Sequence, residues 1–298
     1  MSDIPLYSIP DPCIEFSGFK LYSLKSLAQN ATAYPKFPVQ TDIPHRHDFY
    51  EMCIFYKGEG THEIDFSKFP INNYSVHFVT PGQVHLISNH QHAQGYILAF
   101  TEEFVALNKK PVEVKIGELP SPYLDMNKHE FKFVWNILDA IMHEYSHPGE
   151  ESEEIIKSYL HILILKSKNL YGKTEKTKKK INPNTNTIFR SFKDLVEKNY
   201  RTNQLVNFYA DHLNISPSHL NKISKKICGR TAGNFIHDRV ILEAKRLLVF
   251  SDMTSQEIAY HLMYNDPSYF SRIFKRKTGY SPTRFREIKL QKYHHLIE

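Results

Sequence analysis

The sharpest periodicity in the chain lies towards its C-terminal end. Ile258, Ala259 and Leu262 give a short apolar helix face, and Phe270, Ile273 and Phe274 resume helical spacing a few residues later. Between them, Asp266 offers an N-cap oxygen and Pro267 takes the first helical position, where a missing N–H costs nothing. Ser268, Ser271, Arg272 and Lys275 recur at i, i+3, i+4 and i+7, so they share the opposite, outward face. Gly279 supplies a stop. The pattern predicts a short helix, a turn, and a second helix with a small, polar, cationic outer face.

The pattern occurs twice. Displaced by 50 positions, Pro267, Ser268, Phe270, Arg272, Ile273, Lys275, Gly279 and Phe285 fall on Pro217, Ser218, Leu220, Lys222, Ile223, Lys225, Gly229 and Phe235. Ser216 replaces Asp266 as the cap, and Ala210 and Leu213 supply the preceding helix. The outer stripe becomes Ser218, Asn221, Lys222 and Lys225. Phe235, Ile236, Val240, Ala244, Leu247 and Leu248 predict one long helix over 233–250 that joins the units, and Phe189, Phe192, Leu195, Val196 and Tyr200 predict another ahead of them. An internal repeat of this kind reads as two helix-turn-helix units in tandem.

The front of the chain has a different rhythm. Residues 1–40 are rich in Pro and aromatics and predict only strands and loops. From Ile43, alternating runs broken at Gly58-Glu59-Gly60, Asn72-Asn73 and Pro81-Gly82 predict a series of antiparallel strands. His45, His47 and Glu51 stand at even steps, so an unbroken strand would send all three from one face, and His85 follows a turn that can bring it to the same cavity. His62, His77, His90 and His92 fall outside this pattern and read as surface or strand-face residues. Phe100 to Phe104 should leave the strands. Phe131, Val134, Trp135, Leu138, Met142 and Tyr145 then predict one helix, and Ile155, Ile156, Tyr159, Leu160, Leu163 and Leu170 a second, behind acidic Glu150, Glu151, Glu153 and Glu154. The second arc is wide enough to pack on the strands and still meet a second subunit, so an intramolecular hairpin and a homodimer contact both remain open. Tyr171 to Thr187 lacks apolar periodicity and reads as a linker.

These motifs carry two resemblances. Residues 189–288 resemble the DNA-binding domain of the AraC/XylS family of bacterial transcription regulators. The match lies in Ala210, Leu213, Ser216, Arg239, Ala244-Lys245, Leu248, Ile258-Ala259, Ser268-Tyr269-Phe270-Ser271-Arg272, Phe274-Lys275, Gly279, Ser281-Pro282 and Phe285-Arg286. One departure stands out: the family's usual Gly-Phe in the second turn is Met263-Tyr264, and Met takes up a left-handed backbone only at a cost. Residues 40–100 resemble a cupin, a small β-barrel, through His45-x-His47-xxx-Glu51-xxxxxx-Gly58 and Pro81-Gly82-xx-His85-xxx-Asn89. The implied fold is α+β and multidomain. It comprises a cupin-like barrel over 1–105, a helical region over 106–172, a linker over 173–187, and an all-α DNA-binding domain over 188–298.

Charge supports this division. Residues 1–172 carry 14 Lys/Arg against 21 Asp/Glu, whereas residues 188–298 carry 19 against 10. An acidic front and a basic back suit a sensor joined to a polyanion-binding module. Cys13, Cys53 and Cys228 are odd in number and widely spaced, as reduced thiols in a cytoplasmic protein would be. No signal-peptide pattern and no apolar run of membrane-spanning length is present, so a membrane role is not expected.

The expected function is sequence-specific binding to double-stranded DNA under control of a small-molecule effector, with RNA polymerase as a further partner if the protein activates. Ser218, Asn221, Lys222, Ser268, Ser271 and Arg272 are the expected base contacts, Arg or Lys suiting guanine O6/N7 and Asn suiting adenine N6/N7. Lys225, Lys226, Lys275, Arg276 and Lys277 are the expected phosphate contacts. His45, His47, Glu51 and His85 are the expected effector pocket. No cofactor is expected, the alternative being a divalent metal on those four residues. An enzymatic role is not expected; a metal-dependent cupin enzyme fused to a DNA-binding module is the competing reading.

Overall fold

A computed structural model describes residues 6–9, 16–24, 42–105, 119, 121–174 and 183–294. It divides into two compact units, one formed by Ile4–Thr177 and the other chiefly by Lys178–Glu298.

Among the described residues the first unit holds ten strands: β1 (Leu6–Tyr7), β2 (Phe19–Ser23), β3 (Arg46–His47), β4 (Tyr50–Lys57), β5 (Thr61–Ile64), β6 (Ser67–Pro70), β7 (Ser75–Val79), β8 (His85–Ser88), β9 (Gln94–Phe100) and β10 (Tyr123–Asp125). The expected single barrel is instead two antiparallel sheets among the described residues, a five-stranded one in the order β10-β7-β4-β9-β2 and a three-stranded one in the order β6-β5-β8. A short parallel pair, β1-β3, stands apart from both. The isolated bridge between His45 and His85 stitches the approach to β3 onto β8.

Side-chain alternation on β4 separates two cores. Met52 and Ile54 point to one face of the large sheet with Val76, Phe78, Leu98 and Phe100. That face is covered by α2 (Lys128–Ser146) and α3 (Ser152–Thr174), through Phe131, Val134, Leu138, Ile156, Leu160 and Leu163. Phe49, Cys53 and Phe55 point the other way, with Ile97 and Ala99, towards Ile71 and Ile87. The helical hairpin therefore spends its main apolar face within the chain, while Phe133, Ile162 and Leu165 remain exposed on it. The one-turn helix α1 (Glu102–Val105) takes the chain out of β9 where the sequence expects it to leave. Asn127 closes a capping box with Glu130 at the start of α2, so that helix begins where its own side chains satisfy its first N–H groups.

Among the described residues the second unit is all-helical: α4 (Pro183–Asn199), α5 (Val206–His212), α6 (Pro217–Cys228), α7 (Ala232–Phe250), α8 (Ser255–His261), α9 (Pro267–Thr278) and α10 (Pro282–His294). Of the expected linker over 173–187, both ends are helical, because α3 runs to Thr174 and α4 starts at Pro183, a residue well suited to a first helical turn, and residues 175–182 lie outside the described residues. The 50-residue displacement holds for α6 and α9 but not for the helices before them. Asn214 and Met263, both left-handed, are 49 apart, so the second turn contains one extra residue before its cap.

Candidate functional site

Both turns deliver their following helix in the same way. Ser216 accepts from the His219 N–H, and Asp266 from the Ser268 N–H, each followed by Pro at the first helical position. Such caps contribute about 1 kcal/mol apiece. Gly229 (φ 74°) and Gly279 (φ 83°) end α6 and α9 in the left-handed conformation, which costs a glycine nothing. The inner faces bury Leu220 and Ile223 in α6, and Phe270, Ile273 and Phe274 in α9.

What remains outside is the predicted stripe. Ser218, Lys222, Lys225 and Lys226 are exposed on α6, as are Ser268, Arg272, Lys275 and Arg276 on α9, with Asn221 and Ser271 half-buried at matching positions. Arg272 lies 3.9 Å from the Asp266 carboxylate and over the Tyr269 ring, 5.9 Å from its centroid, with its side chain three-quarters exposed.

Two predicted contacts differ from expectation. The Asn221 side-chain oxygen accepts the backbone N–H of Ala232 at 3.0 Å, so the acceptor expected to pair with adenine is already engaged within the chain. Asn221 in this arrangement fixes α6 to the start of α7. Lys277 is half-buried and donates to Asp238 at 2.8 Å, which turns it inward from the phosphate-gripping stripe. Asp238 also receives Arg230 at 2.6 Å, so one carboxylate on α7 holds a cation from the turn after α6 and another from the last turn of α9.

Deeper in this unit, buried Glu243 receives Arg201 at 2.8 Å, Arg239 at 3.2 Å and Arg246 at 3.4 Å. Burial raises the Glu243 carboxyl, but the three guanidiniums outweigh burial and bring it down to about 2. Arg239 also pairs with Glu197 on α4 and stacks on the Tyr200 ring, tying the first helix of the unit to α7.

In the first unit the predicted residues do converge, though not on an unbroken strand. β3 stops at His47 and β4 starts at Tyr50, with Asp48 and Phe49 bent between them, yet His45, His47 and Glu51 all remain buried. The bend consumes two residues, so the even-step relation survives it. His85 packs against His45 with ring centroids 4.1 Å apart. The trio His47, Glu51 and His85 can each bring one ligand atom within 4.8 Å of the others; His45 stands outside this trio. His45 Nδ1 donates to the Ile43 carbonyl at 2.9 Å and His47 Nδ1 to the Phe49 carbonyl at 2.7 Å, because a carbonyl can only accept. Cys53 donates to the carboxylate of Glu51 at 3.0 Å.

His62 and His77, expected on the surface or on a strand face away from the motif, are completely buried in this cluster. His62 bridges His77 at 3.1 Å and His85 at 3.0 Å. The local signal for His77 was its setting between Val76 and Phe78; its inward direction follows from pairing opposite Cys53, which no local pattern reveals. His92 is exposed and His90 half-buried. Burial keeps His45 neutral down to about 4, and His47 and His77 down to about 3. His62 and His85 are held well below the usual imidazole range by burial and by their neighbours. Burial also pushes Glu51 up to about 7. Neutral imidazoles with free lone pairs and a carboxylate are a donor set that fits a divalent transition ion. Of the aromatic residues near this cluster, Phe49 and Phe55 face it, whereas Phe78 belongs to the helix-covered side of the sheet.

Residues 34–119 match the family described as AraC-like ligand binding domain, and residues 209–288 the family described as Helix-turn-helix domain. Among curated proteins, the chain is 26% identical over 265 residues to the HTH-type transcriptional activator RhaS of Escherichia coli O157:H7, covering 85% of this chain and 90% of that one. It is 24% identical over 248 residues to the uncharacterized HTH-type transcriptional regulator YfiF of Bacillus subtilis, covering 82% and 78%. A solved structure of ToxT from Vibrio cholerae aligns over 91% of this chain and 98% of its own, at 13% identity and a TM-score of 0.42. No described helix is long and apolar enough to cross a membrane. A ligand-binding domain of this kind, followed by a helix-turn-helix domain of this kind, is the AraC-type arrangement, and the chain belongs to the AraC family of DNA-binding transcription regulators.

Proposed function

We propose that the protein reads two adjacent subsites of a promoter, one with each recognition helix, and that a small effector held between the two sheets of the first unit sets how tightly it does so. The observation that carries the first half is the pair of matched outer faces on α6 and α9, each behind a capped Pro start and lined by serine and cationic side chains, with the exposed ring of Tyr269 added on α9. Held by one joining helix, two such readers suit successive major-groove turns about 34 Å apart. Ser218, Lys222, Ser268, Ser271 and Arg272 reach base edges, with Asn221 adding at most one donor. Lys225, Lys226, Lys275 and Arg276 hold phosphates.

The protein acts by binding and not by turnover, in the cytoplasm where the promoter is. His45, His47, Glu51 and His85 belong to the sensing site in this reading. The exposed Phe133, Ile162 and Leu165 supply a homodimer contact, and RNA polymerase is the downstream partner if promoter occupancy activates.

The deciding experiment compares Arg272→Ala and Lys225→Ala on a promoter library. Arg272→Ala should relax preference at one base pair, by about 1–3 kcal/mol of lost discrimination. Lys225→Ala should weaken all sequences alike and reduce the salt slope by about one. Uniform weakening by Arg272→Ala would make that residue a phosphate contact, and unchanged binding by both variants would sink the two-reader model.

A further inference from the structure

The two helix-turn-helix halves keep separate aromatic cores. Phe192 meets Tyr209 and Phe235 in the first half, and Phe274 meets Phe270 and Phe285 in the second. Each half is also fastened to its own end of α7. The Asn221 side-chain oxygen accepts the Ala232 N–H at the start of that helix. Arg286 donates to the Leu248 carbonyl at 2.6 Å, in its last turn, and to the Met253 carbonyl just beyond. A helix of 19 residues is seldom straight, so anchors at its two ends leave the offset between α6 and α9 open to bending of α7.

Two polar ties cross between the halves. The side-chain amide of Gln204, ahead of α5, donates to the Leu262 carbonyl at 2.6 Å, where α8 ends in the second turn. The other tie is Asp238, in the first half of α7. One of its oxygens receives Arg230, from the turn after α6, at 2.6 Å. Its other oxygen receives Lys277, from the last turn of α9, at 2.8 Å. The carboxylate therefore holds one cation from each half at the same time. The Asp238 and Lys277 side chains are only 29% and 24% exposed, so salt screens this pair less than one in open solvent.

We propose that Asp238 is a positioning residue for DNA reading: by clasping Arg230 and Lys277 together it fixes the offset of α6 from α9, and so sets the subsite spacing that the protein accepts. This rests on the reading of α6 and α9 as two readers of one duplex, and deepens it by naming what holds them in step. One base pair added between the subsites moves the second by about 3.4 Å along the duplex and turns it by about 35°. Readers held at a fixed offset lose base contacts on such a site, whereas readers that flex follow it. Two partly exposed ion pairs are together worth a factor of about 2–30, which sets the scale of the effect.

The test uses the full chain and double-stranded DNA that the parent selects from a random pool. The same DNA is then made with one base pair added or removed between the two protected subsites. The readout is the ratio of affinities for the selected and altered spacings within one preparation, which cancels differences in folded fraction and in overall charge. The parent should prefer the selected spacing by about 10-fold or more, because a displaced reader forfeits base contacts. Asp238→Asn should reduce that ratio by about 2-fold or more, and Asp238→Glu, which keeps the charge, should recover most of it. Lys277→Met leaves Arg230 on Asp238 and should move the ratio in the same direction as Asp238→Asn; it decides the matter should that variant not fold. A parental ratio in the folded variant overturns the clasp and leaves the two readers standing. Asp238→Glu no better than Asp238→Asn counts against it as well. A parent indifferent to spacing removes the two-reader reading itself, and the clasp with it.

Discussion

Met263 holds φ 60° in the second turn and is 62% exposed, and Asn214 holds φ 52° at the equivalent place in the first. A left-handed backbone costs a residue with an ordinary side chain roughly 1–2 kcal/mol, while Asn tolerates it through local hydrogen bonding and Gly adopts it freely. Met263 gives up little packing on removal. Met263→Gly should therefore stabilise the helical unit by about 1 kcal/mol, raising its melting temperature by roughly 4 °C. Asn214→Gly should change it by less than about 0.5 kcal/mol. Thermal unfolding of both variants checks this, and an unchanged or lowered midpoint for Met263→Gly would remove the strain argument. The cost at Met263 was legible through the resemblance, in which Gly usually stands where this chain has Met. The caps at Ser216 and Asp266 and the stops at Gly229 and Gly279 were legible because a turn states its backbone needs locally. His62 and His77 were not. On a strand, inward or outward is decided by register against a partner distant in sequence, and His77 points inward only because it pairs opposite Cys53.

Among the elements, α7 carries the most consequence, because both reader helices are attached to it. Its buried Glu243 gathers Arg201, Arg239 and Arg246, and Arg239 reaches on to Glu197 of α4. A charge cluster of this kind is costly to break from one side, since the three guanidiniums lose the buried carboxylate they share. Glu243→Gln should destabilise the helical unit by about 3–5 kcal/mol, read by urea unfolding. The pH dependence has a defined sign. The folded carboxyl sits below its ordinary value, so its contribution is complete above about 4.5 and is lost as pH falls towards about 2. A parent protein with the same unfolding midpoint at pH 3 and pH 6 would count against the cluster, as would a Glu243→Gln variant that keeps the parent's acid sensitivity. The length of α7 was readable from its apolar period, but its ionic hub was not. Glu243 stands on the inward side of the helix, where a lone carboxylate has no signature until the three arginines are placed around it. The extra residue in the second turn escaped the 50-residue displacement for a related reason. The repeat was recognised through the recognition helices, which obey it, and the discrepancy sits in the short segment between helices, where spacing is free to vary.

At the scale of the whole chain, the two units have separate cores, one between and beside sheets and one among helices. Control of DNA binding by an effector then needs a coupling free energy between them, since a ligand with equal affinity for every arrangement shifts nothing. Coupling of the usual size, about 1–3 kcal/mol, corresponds to a change in promoter affinity of roughly 5–150-fold. Occupying the sensing site of the first unit should therefore move promoter affinity by a factor in that range, and His47→Ala should remove the response while keeping DNA binding itself. Linkage makes a second demand that is independent of direction: saturating promoter DNA must change effector affinity by the same factor. Titrating each ligand in the presence and absence of the other measures both factors. If the two disagree, the effector alters the preparation by some route other than binding. If both are unity, the first unit binds its ligand without instructing the second, and the sensing role passes to a different ligand.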